Sequence, residues 1–585
     1  MNQSPLQHRK AQNKGKPFAL ALLLSTPFWG PVPAAHAAVQ APTRYTQGIV
    51  ASDHPLASAA GRDMLLKGGN AFDAAIATSL ALAVVRPQST GIGGGGFMVF
   101  HHENQTGVLD YREVAPAAAH RDMYLDEKGQ PIPNLSTQGF KAAAVPGLLA
   151  GLHEIYSTRA SLPLKTLVAP ALALAKEGFP ADAHFVHASE VVLARGARED
   201  LKSIFFTSGH PFKVGDRVKN PALAASLQII SEQGLRAMYE GPWSVELSRR
   251  LQAADALITQ KDLQKYRPKY REPLSTTYRG YRVVTMPPPS SGGVAMITML
   301  NILKPFPLHW NALSWGSSEY THLITESMKH AFSDRAHYLG DPDFVDVPVK
   351  ALTSSDYATQ LREQINAARY STLNLEYYGK KGLEQMATAP ALRDHGTTHY
   401  AIMDKMGNMV SATETINTYF GSQAIIPGTG IVLNNEMDDF SKSPGVPNAF
   451  GLVGTEANAI APGKKPLSSM SPTLVFGPDN KPFLAIGASG GPRIITGTFL
   501  SLLNVLDYGM NVNEAVSAPR FHHQWKPNTL YIEKEIPRDV QRALVSKGHQ
   551  LQMGDAENVV QAVMFKDGIF TGASDPRKGG APAGY

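Results

Sequence analysis

The 585-residue chain contains no cysteine. This absence excludes disulfide bonds, a thiol nucleophile and cysteine-ligated metal sites. Without covalent cross-links, a chain of this length depends on a large hydrophobic core, and 43% of its residues are hydrophobic. Length alone would suggest three or four domains. The sequence shows no low-complexity linker and no internal repeat that would divide it, so we expect one large fold.

Long apolar runs are also lacking. The stretch from Phe18 to Trp29 is about 12 residues long, short of the ~20 residues needed to span a bilayer. It follows four basic residues and precedes Ala35-His36-Ala37, an order that predicts a secretory signal peptide over residues 1–37. The alternative is an uncleaved membrane anchor. We therefore expect an exported protein, located in the periplasm or secreted.

The expected mature chain has almost no excess of charge of either sign. The full sequence has 55 basic and 49 acidic residues, a formal net charge of +6. The predicted signal peptide carries four of the basic residues and no acidic residue. Its removal leaves a net charge of +2, so the isoelectric point near 9.1 gives no argument for nucleic-acid binding.

The N-terminal half contains two predicted helices and a glycine-rich loop. Pro55 to Lys67 is predicted to be a helix that stops at glycine, and Asn70 is predicted to cap a buried helix that runs to Val85. Residues Gly91 to Gly96 resemble a phosphate-binding loop, but no Gly-Lys-Ser/Thr follows. We interpret these glycines as positions where two backbones approach closely.

The most informative stretch is a predicted hairpin. Thr397 to Met403 alternates like a strand, and Met409 to Thr415 is its antiparallel return. The residues between them, Lys405 to Asn408, form the turn. A glycine, Gly396, stands directly before the first strand. An ordinary hairpin would account for this pattern, but so would a special role for the strand-initial threonine.

Threonine is a weak nucleophile unless a base lies within hydrogen-bonding distance. If Thr397 became the first residue of a chain, its own α-amino group, with a pKa of about 7.7 to 8.0, could act as that base. This requires cleavage of the Gly396–Thr397 bond. The Thr397 hydroxyl could attack the Gly396 carbonyl, and the resulting ester would then hydrolyse.

Motifs along almost the whole chain after the first forty residues resemble the γ-glutamyltranspeptidases, which are self-cleaving N-terminal-nucleophile hydrolases. The residues that carry the resemblance are Gly69–Ala75, Gly93–Phe97, Arg112-Glu113, Pro287–Gly293, Thr397–Tyr400, Asn417, Leu433–Phe440, Pro466–Pro472 and Asp575-Pro576-Arg577. The resemblance implies an α+β fold, the αββα four-layer sandwich, with two stacked antiparallel sheets between helical layers. Predicted hairpins at residues 471–487 and 559–573 agree with this fold.

The resemblance also implies how the chain is divided. Self-cleavage before Thr397 would give a large subunit, residues 38–396, and a small subunit, residues 397–585, which together form one fold and a heterodimer. The implied activity is hydrolysis and transfer of the γ-glutamyl group of glutathione and other γ-glutamyl compounds. The group passes through a threonine ester to water or to an amino-acid or dipeptide acceptor. No cofactor and no metal are implied.

The implied catalytic residues are Thr397, Thr415, Gly490 and Gly491. Thr397 is the nucleophile, and Thr415 matches a threonine that hydrogen-bonds it. The two glycines lie between a predicted strand and a predicted helix over Ile494 to Leu506. Backbone N–H groups at a helix start can stabilise developing negative charge, so these glycines are the expected oxyanion hole.

The implied substrate-binding residues form a clamp for a zwitterion. Arg112, Ser468 and Ser469 match residues that bind the α-carboxylate of the γ-glutamyl group. Three others match residues that bind the α-ammonium: Asn417, Glu436 and Asp439. Members of the family carry Glu or Gln at position 436. In the predicted lid, bacterial relatives often place a tyrosine where this chain has Phe450, so lid closure here must depend on packing.

Three other interpretations remain open from the sequence. The first keeps the fold but changes the acyl group, as in the related cephalosporin and glutaryl acylases. The second uses Ser489 of a Gly-x-Ser-x-Gly motif as nucleophile, with Asp507 and either His522 or His523 as partners. The third is a non-catalytic periplasmic peptide-binding protein, which length and export would also fit.

Overall fold

The computed structural model describes residues 41–367, 370–379, 396–555 and 557–585. The predicted signal peptide and residues 380–395, which precede the expected cleavage site, lie outside these ranges. Within them, no helix combines the length and apolar character needed to cross a membrane.

The described ranges contain sixteen α-helices. Their bounds are α1 Pro55–Leu66, α2 Ala71–Val85, α3 Leu148–Arg159, α4 Leu164–Glu177, α5 Ala183–Ala194, α6 Glu199–Phe205, α7 Pro221–Gln233, α8 Gly241–Ala253, α9 Gln260–Lys265, α10 Gly292–Leu303, α11 Ser318–Tyr338, α12 Val349–Leu352, α13 Ser355–Ala367, α14 Arg493–Leu506, α15 Val512–Ser517 and α16 Arg538–Ser546.

The same ranges contain twenty-one strands. Their bounds are β1 Arg44–Tyr45, β2 Gly48–Ser52, β3 Gly95–His102, β4 Gln105–Tyr111, β5 Phe179–Pro180, β6 Phe206–Thr207, β7 His210–Pro211, β8 Arg217–Val218, β9 Lys269–Arg271, β10 Leu274–Tyr278, β11 Tyr281–Thr285, β12 Thr397–Asp404, β13 Met409–Thr415, β14 Thr473–Phe476, β15 Pro482–Ser489, β16 Phe521–His522, β17 Leu530–Glu533, β18 Leu551–Gly554, β19 Val559–Lys566, β20 Ile569–Ser574 and β21 Ala583–Gly584.

Two seven-stranded sheets form the centre of the fold. Sheet I has the strand order β21-β2-β12-β13-β3-β4-β9, and sheet II has the order β1-β20-β19-β15-β14-β11-β10. Every pair of neighbouring strands in both sheets is antiparallel. The predicted hairpin β12–β13 lies at the centre of sheet I, between β2 and β3.

Alternating side chains show that sheet I is buried on both faces. In β12, Tyr400 and Ile402 pack into the core that contains helices α1 to α8, whereas Ala401 and Met403 pack into the core shared with sheet II. Helices α10, α11 and α14 cover the other side of sheet II. Successive strand residues point to opposite faces of a sheet, so sheet I packs against helices on one face and against sheet II on the other. With the helices beyond sheet II, this makes four layers. The predicted αββα sandwich is confirmed.

The two sheets touch closely at His399 and Gly487. A Cβ atom at Gly487 would lie 2.3 Å from Cε1 of His399, so only glycine fits there. Burial lowers the pKa of His399 to about 3, and the neutral ring shares a 2.8 Å hydrogen bond with the Thr413 hydroxyl. This histidine therefore packs between the sheets.

The helix predictions agree closely with the structure, whereas some strands were not predicted. Asn70 caps α2 in a reciprocal capping box with Asp73, and α2 is buried along its whole length. Strands β2, β10 and β11 were not predicted from the sequence. β2 pairs with β12 across more than 340 residues of chain, and such a partner has no local signal.

Candidate active site

Thr397 and Thr415 face each other at the open end of the central hairpin. They are direct partners in the β12–β13 register, and their Oγ1 atoms lie 3.1 Å apart. The Thr415 hydroxyl donates to the Gly396 carbonyl oxygen at 3.0 Å and accepts from the Asn417 N–H at 2.7 Å. A hydroxyl has a single proton, so Thr397 is the donor of the bond between the two hydroxyls. Thr415 thus contacts both the Thr397 hydroxyl and the carbonyl oxygen of the preceding residue.

The glycine-rich loop permits this arrangement. A Cβ atom at Gly94 would lie 2.1 Å from the carbonyl oxygen of Thr415, and one at Gly93 would lie 2.1 Å from that of Val432. The backbone N–H of Asn434 also donates to the Gly93 carbonyl at 3.2 Å. These close approaches confirm the interpretation of the loop and bring the residues after Val432 next to the end of β13.

Lys578 hydrogen-bonds the backbone of Thr397. The sequence did not predict this contact. The buried Lys578 ammonium donates to the Thr397 carbonyl at 2.5 Å and to Asp53 Oδ2 at 2.8 Å. Burial lowers the pKa of Lys578, and the Asp53 carboxylate opposes this shift. The only sequence signal is its position directly after the Asp575-Pro576-Arg577 motif. This lysine fixes the backbone of the nucleophile.

Arg112 lies directly after β4 and is shared by three carboxyl groups. Its Nη1 atom is 2.7 Å from Glu436 Oε2 and 3.8 Å from Glu113 Oε2, and its Nη2 atom donates to Asp439 Oδ2 at 2.6 Å. Its Nε–H donates to the carbonyl of Pro466 at 3.3 Å. Burial disfavours the arginine charge, but Glu436 and Asp439 outweigh this effect and raise the pKa of Arg112.

Burial of three carboxyls around one guanidinium disfavours the ionisation of all three. Burial raises the pKa of Glu113 to about 7 and also raises the pKa values of Glu436 and Asp439. Burial and repulsion among these carboxyls therefore disfavour full ionisation of the cluster.

Nine of the ten predicted site residues line one pocket, whose volume is about 320 Å³ with the part open to solvent included: Arg112, Thr397, Thr415, Asn417, Glu436, Asp439, Ser468, Ser469 and Gly491. Gly490 is adjacent in sequence but does not line the pocket. Arg335, which the sequence did not indicate, is also a lining residue. The role of each of these residues in binding or in the reaction stays a prediction.

Gly490 and Gly491 form the turn from β15 into helix α14. Their φ angles are +124° and +56°, which residues with a side chain rarely adopt. A Cβ atom at Gly491 would lie 2.7 Å from Phe450, and one at Gly490 would lie 2.3 Å from the Glu557 carbonyl. Both glycines are therefore required by the turn, and the turn places the start of α14 at the pocket.

Phe450 also lines the pocket, and hydrogen bonds hold its backbone in place. The Asn448 side-chain oxygen accepts from the backbone N–H groups of Phe450 and Leu452, each at 3.0 Å, and its amide donates to Asp439 Oδ1 at 3.2 Å. Gln524 donates to the Phe450 carbonyl at 3.2 Å. The segment predicted to be a lid is thus hydrogen-bonded directly to the carboxyl cluster, and its role as a lid stays a prediction.

The alternative nucleophile Ser489 lacks the partners that it would need. His522 hydrogen-bonds Thr496 and Gln524, and His523 hydrogen-bonds Asn528. The side chain of Asp507 binds Arg279 and Tyr278 instead. Ser489 is buried within 3.4 Å of the Lys578 ammonium. The interpretation of Ser489 as a nucleophile was wrong, because the Gly-x-Ser-x-Gly motif occurs here without a histidine base that contacts the serine.

One cluster in the described ranges has the residue types of a metal site. His322, Glu326 and His549 place potential ligand atoms within 4.8 Å of one another. However, the Lys329 ammonium lies 3.0 Å from Glu326, and Tyr378 donates to the same carboxylate at 2.7 Å. The two histidine rings share a 2.8 Å hydrogen bond. A polar network already engages Glu326 and both rings, and the ammonium opposes a second cation.

A strand-initial threonine that faces a pocket at the edge of an αββα sandwich is the arrangement of the N-terminal-nucleophile hydrolases, and the fold and site together define this class. Comparisons with known proteins identify the family within it. The model of the γ-glutamyltranspeptidase family matches residues 57–585. The chain therefore belongs to the γ-glutamyltranspeptidase family.

Individual relatives agree with this assignment. The chain is 43% identical to the glutathione hydrolase proenzyme of Escherichia coli over 543 residues, which is 92% of this chain and 91% of the relative. Among solved structures, it resembles a cephalosporin acylase from Bacillus halodurans, with a TM-score of 0.81, 28% identity and coverage of 96% and 99% of the two chains. It also resembles the γ-glutamyltranspeptidase of Helicobacter pylori, with a TM-score of 0.51, 36% identity and coverage of 57% and 93%.

Proposed function

We propose that this protein is a self-processing γ-glutamyltransferase and hydrolase that acts on glutathione and related γ-glutamyl amides. The observation that carries the proposal is the position of Thr397, whose hydroxyl faces a pocket that also contains Arg112 and Asp439. A γ-glutamyl group carries an α-carboxylate and an α-ammonium beyond its amide. A guanidinium and a carboxyl of opposite charge, fixed side by side, match this zwitterion.

In the proposed maturation, the Thr397 hydroxyl attacks the carbonyl carbon of Gly396. Thr415 donates a hydrogen bond to that carbonyl oxygen and stabilises its developing negative charge. The Thr397 nitrogen takes a proton and leaves, and an ester joins the two residues. Water hydrolyses the ester and frees the threonine hydroxyl and amine. The products are the large subunit, 38–396, and the small subunit, 397–585.

In the proposed reaction, the new amine of Thr397 takes the proton of its own hydroxyl, which attacks the γ-carbonyl of the substrate. The proton passes to the leaving amine, and a γ-glutamyl ester remains on Thr397. Water, an amino acid or a dipeptide then attacks the ester. The N–H groups at the Gly490–Gly491 turn are the proposed oxyanion hole. We also propose that an N-terminal signal peptide directs the protein to the periplasm.

The Thr397→Ala variant tests the maturation step. Without the hydroxyl, the chain should remain a single polypeptide and should not turn over γ-glutamyl-p-nitroanilide. Intact-mass spectrometry and N-terminal sequencing of the purified wild-type and variant proteins measure this directly. Normal processing of the variant into two chains would show that Thr397 is not the nucleophile.

The related acylase activity is a second candidate because the resemblance to the cephalosporin acylase covers nearly the whole of both chains. Turnover of γ-glutamyl-p-nitroanilide and of glutaryl-p-nitroanilide separates the two functions, since the second substrate lacks the α-ammonium. We expect the wild-type enzyme to prefer the γ-glutamyl substrate. The carboxyl groups of Glu436 and Asp439 in the pocket favour that preference, because they would bind the ammonium.

A further inference from the structure

Arg335 is a buried arginine without a carboxylate partner. It lies near the C-terminal end of α11, is only 4% exposed and lines the pocket beside Thr397. Its Nε–H donates to the Ser291 hydroxyl at 3.2 Å. Within the described residues, no acidic group lies within the 4.0 Å of a salt bridge from its guanidinium.

The other four buried arginines of the described residues each have such a partner: Arg86 with Asp182, Arg112 with Glu436 and Asp439, Arg493 with Glu557 and Arg520 with Asp575. A buried charge is costly unless it is paired. Arg335 is therefore the exception that needs an explanation, and it is one of the two buried arginines that line the pocket.

The surroundings of Arg335 indicate which part of a substrate it meets. Ser291, its hydrogen-bond partner, donates to the backbone carbonyl of Ser468 at 2.7 Å. Ser468 and Ser469 are the hydroxyls expected to bind a carboxylate. Burial lowers the pKa of Arg335 to about 10, and the charge of Asp439 only partly opposes this shift. The guanidinium thus remains charged at neutral pH, without a salt bridge, at the serine end of the pocket.

We propose that Arg335 is a substrate-binding residue whose missing counterion is the α-carboxylate of the γ-glutamyl group. This inference rests on the proposed function of the same pocket. Arg112 is already shared by three carboxyls, so an added carboxylate gains less from it than from an unpaired guanidinium. Arg335 therefore adds a second positive charge for the carboxylate beside Arg112, and the carboxyls around Arg112 supply the acceptors for the ammonium.

Three anilides that differ in one charged group each test this assignment. γ-Glutamyl-p-nitroanilide has both charges, glutaryl-p-nitroanilide keeps only the carboxylate, and 4-aminobutyryl-p-nitroanilide keeps only the ammonium. In Arg335→Met, we expect KM for the γ-glutamyl and glutaryl anilides to rise roughly 10- to 100-fold, because each carboxylate loses one charged hydrogen-bond partner. The affinity for 4-aminobutyryl-p-nitroanilide should change by less than about twofold. This affinity is measured with the anilide both as a substrate and as a competitive inhibitor.

Two further variants complete the experiment. Arg335→Lys keeps the charge and should recover part of the lost affinity for the two carboxylate substrates. Arg362→Met is the matched control, because Arg362 is a helical arginine of α13 outside the pocket that donates to the Asn301 carbonyl. It should leave all three constants unchanged. If Arg335→Met does not fold, Arg335→Lys must still weaken the carboxylate substrates more than the amine substrate.

Equal losses on all three anilides would overturn the inference, since a structural role of Arg335 would affect every substrate alike. The proposed function fails in a different way. If the wild-type enzyme used the glutaryl anilide but not the γ-glutamyl anilide, the proposed substrate class would be wrong. The role of Arg335 would still be tested by comparing its effect on the glutaryl anilide with its effect on the 4-aminobutyryl anilide.

Discussion

At the scale of single residues, Thr415 connects the two groups that react in the proposed maturation. Its hydroxyl contacts Thr397 Oγ1 at 3.1 Å and the Gly396 carbonyl oxygen at 3.0 Å. We expect Thr415→Val, which keeps the shape and removes the hydroxyl, to slow cleavage of the precursor at least about 10-fold, the effect of one lost hydrogen bond in a transition state.

The loss of the precursor band with time on a denaturing gel measures this rate. Thr415→Ser restores a hydroxyl at the same position and should recover most of the rate. Cleavage of Thr415→Val at the wild-type rate would remove Thr415 from the mechanism.

A second residue, Glu414, makes stability depend on pH. It lies in β13, and its carboxyl accepts hydrogen bonds from Ser79 at 2.7 Å, Tyr400 at 2.9 Å and Tyr111 at 3.1 Å. Burial raises its pKa from 4.5 to about 7 despite these bonds. The folded state therefore binds the proton more tightly than the unfolded state. Its contribution to stability is complete below pH 4.5 and is lost as the pH rises through 7.

Glu414→Gln removes this titration and keeps the shape of the side chain. Between pH 4.5 and 8, the wild-type free energy of unfolding should fall more than that of the variant, by on the order of 3 kcal/mol. Denaturant unfolding in a Thr397→Ala background measures both proteins as single chains. Parallel pH curves for the two proteins would contradict the assigned titration.

At the scale of elements, the lid depends on Asn448. Its side chain holds the backbone N–H groups of Phe450 and Leu452 and reaches Asp439. Asn448→Ala should loosen the lid and raise KM for γ-glutamyl-p-nitroanilide about 10-fold, with normal processing of the precursor.

Steady-state kinetics measure this change. The control is Asn480→Ala, because Asn480 lies in the turn between β14 and β15 and bonds Arg282 at 3.0 Å. Its removal should leave KM unchanged. A normal KM in Asn448→Ala would mean that the lid does not depend on this side chain.

At the scale of the whole molecule, the expected cleavage site lies inside sheet I. Strands β12 and β13 of the proposed small subunit lie between β2 and β3 of the proposed large subunit. Separation of the two chains requires both strand pairings to break and a continuous core to be exposed. Each subunit alone would leave unpaired strand edges.

We therefore expect the two processed chains to elute together in size-exclusion chromatography under native conditions. They should separate only in denaturant, and the uncleaved Thr397→Ala protein should elute at the same volume as the processed pair. Elution of separate chains in native buffer would contradict the proposed heterodimer.

Several parts of this protein follow from local sequence alone. Asn70 and Asp73 specify the start of α2 because capping involves neighbours only three residues apart. The alternation from Thr397 to Met403 specifies β12, and the Gly91–Gly96 run specifies a close backbone approach. The site residues were predicted through family motifs, and nine of them line the pocket. These features can be predicted because they depend on residue composition, on residue spacing and on motifs.

Other properties were decided only by the tertiary structure. Arg335 and Lys578 have ordinary local sequence, and only the fold brings one into the pocket and the other onto the Thr397 carbonyl. The raised pKa values of the carboxyls around Arg112 depend on their burial together, although Glu436 is more than 300 residues away from Arg112 in the chain. Desolvation and the proximity of charges arise when distant segments pack, and no local pattern of residues encodes them.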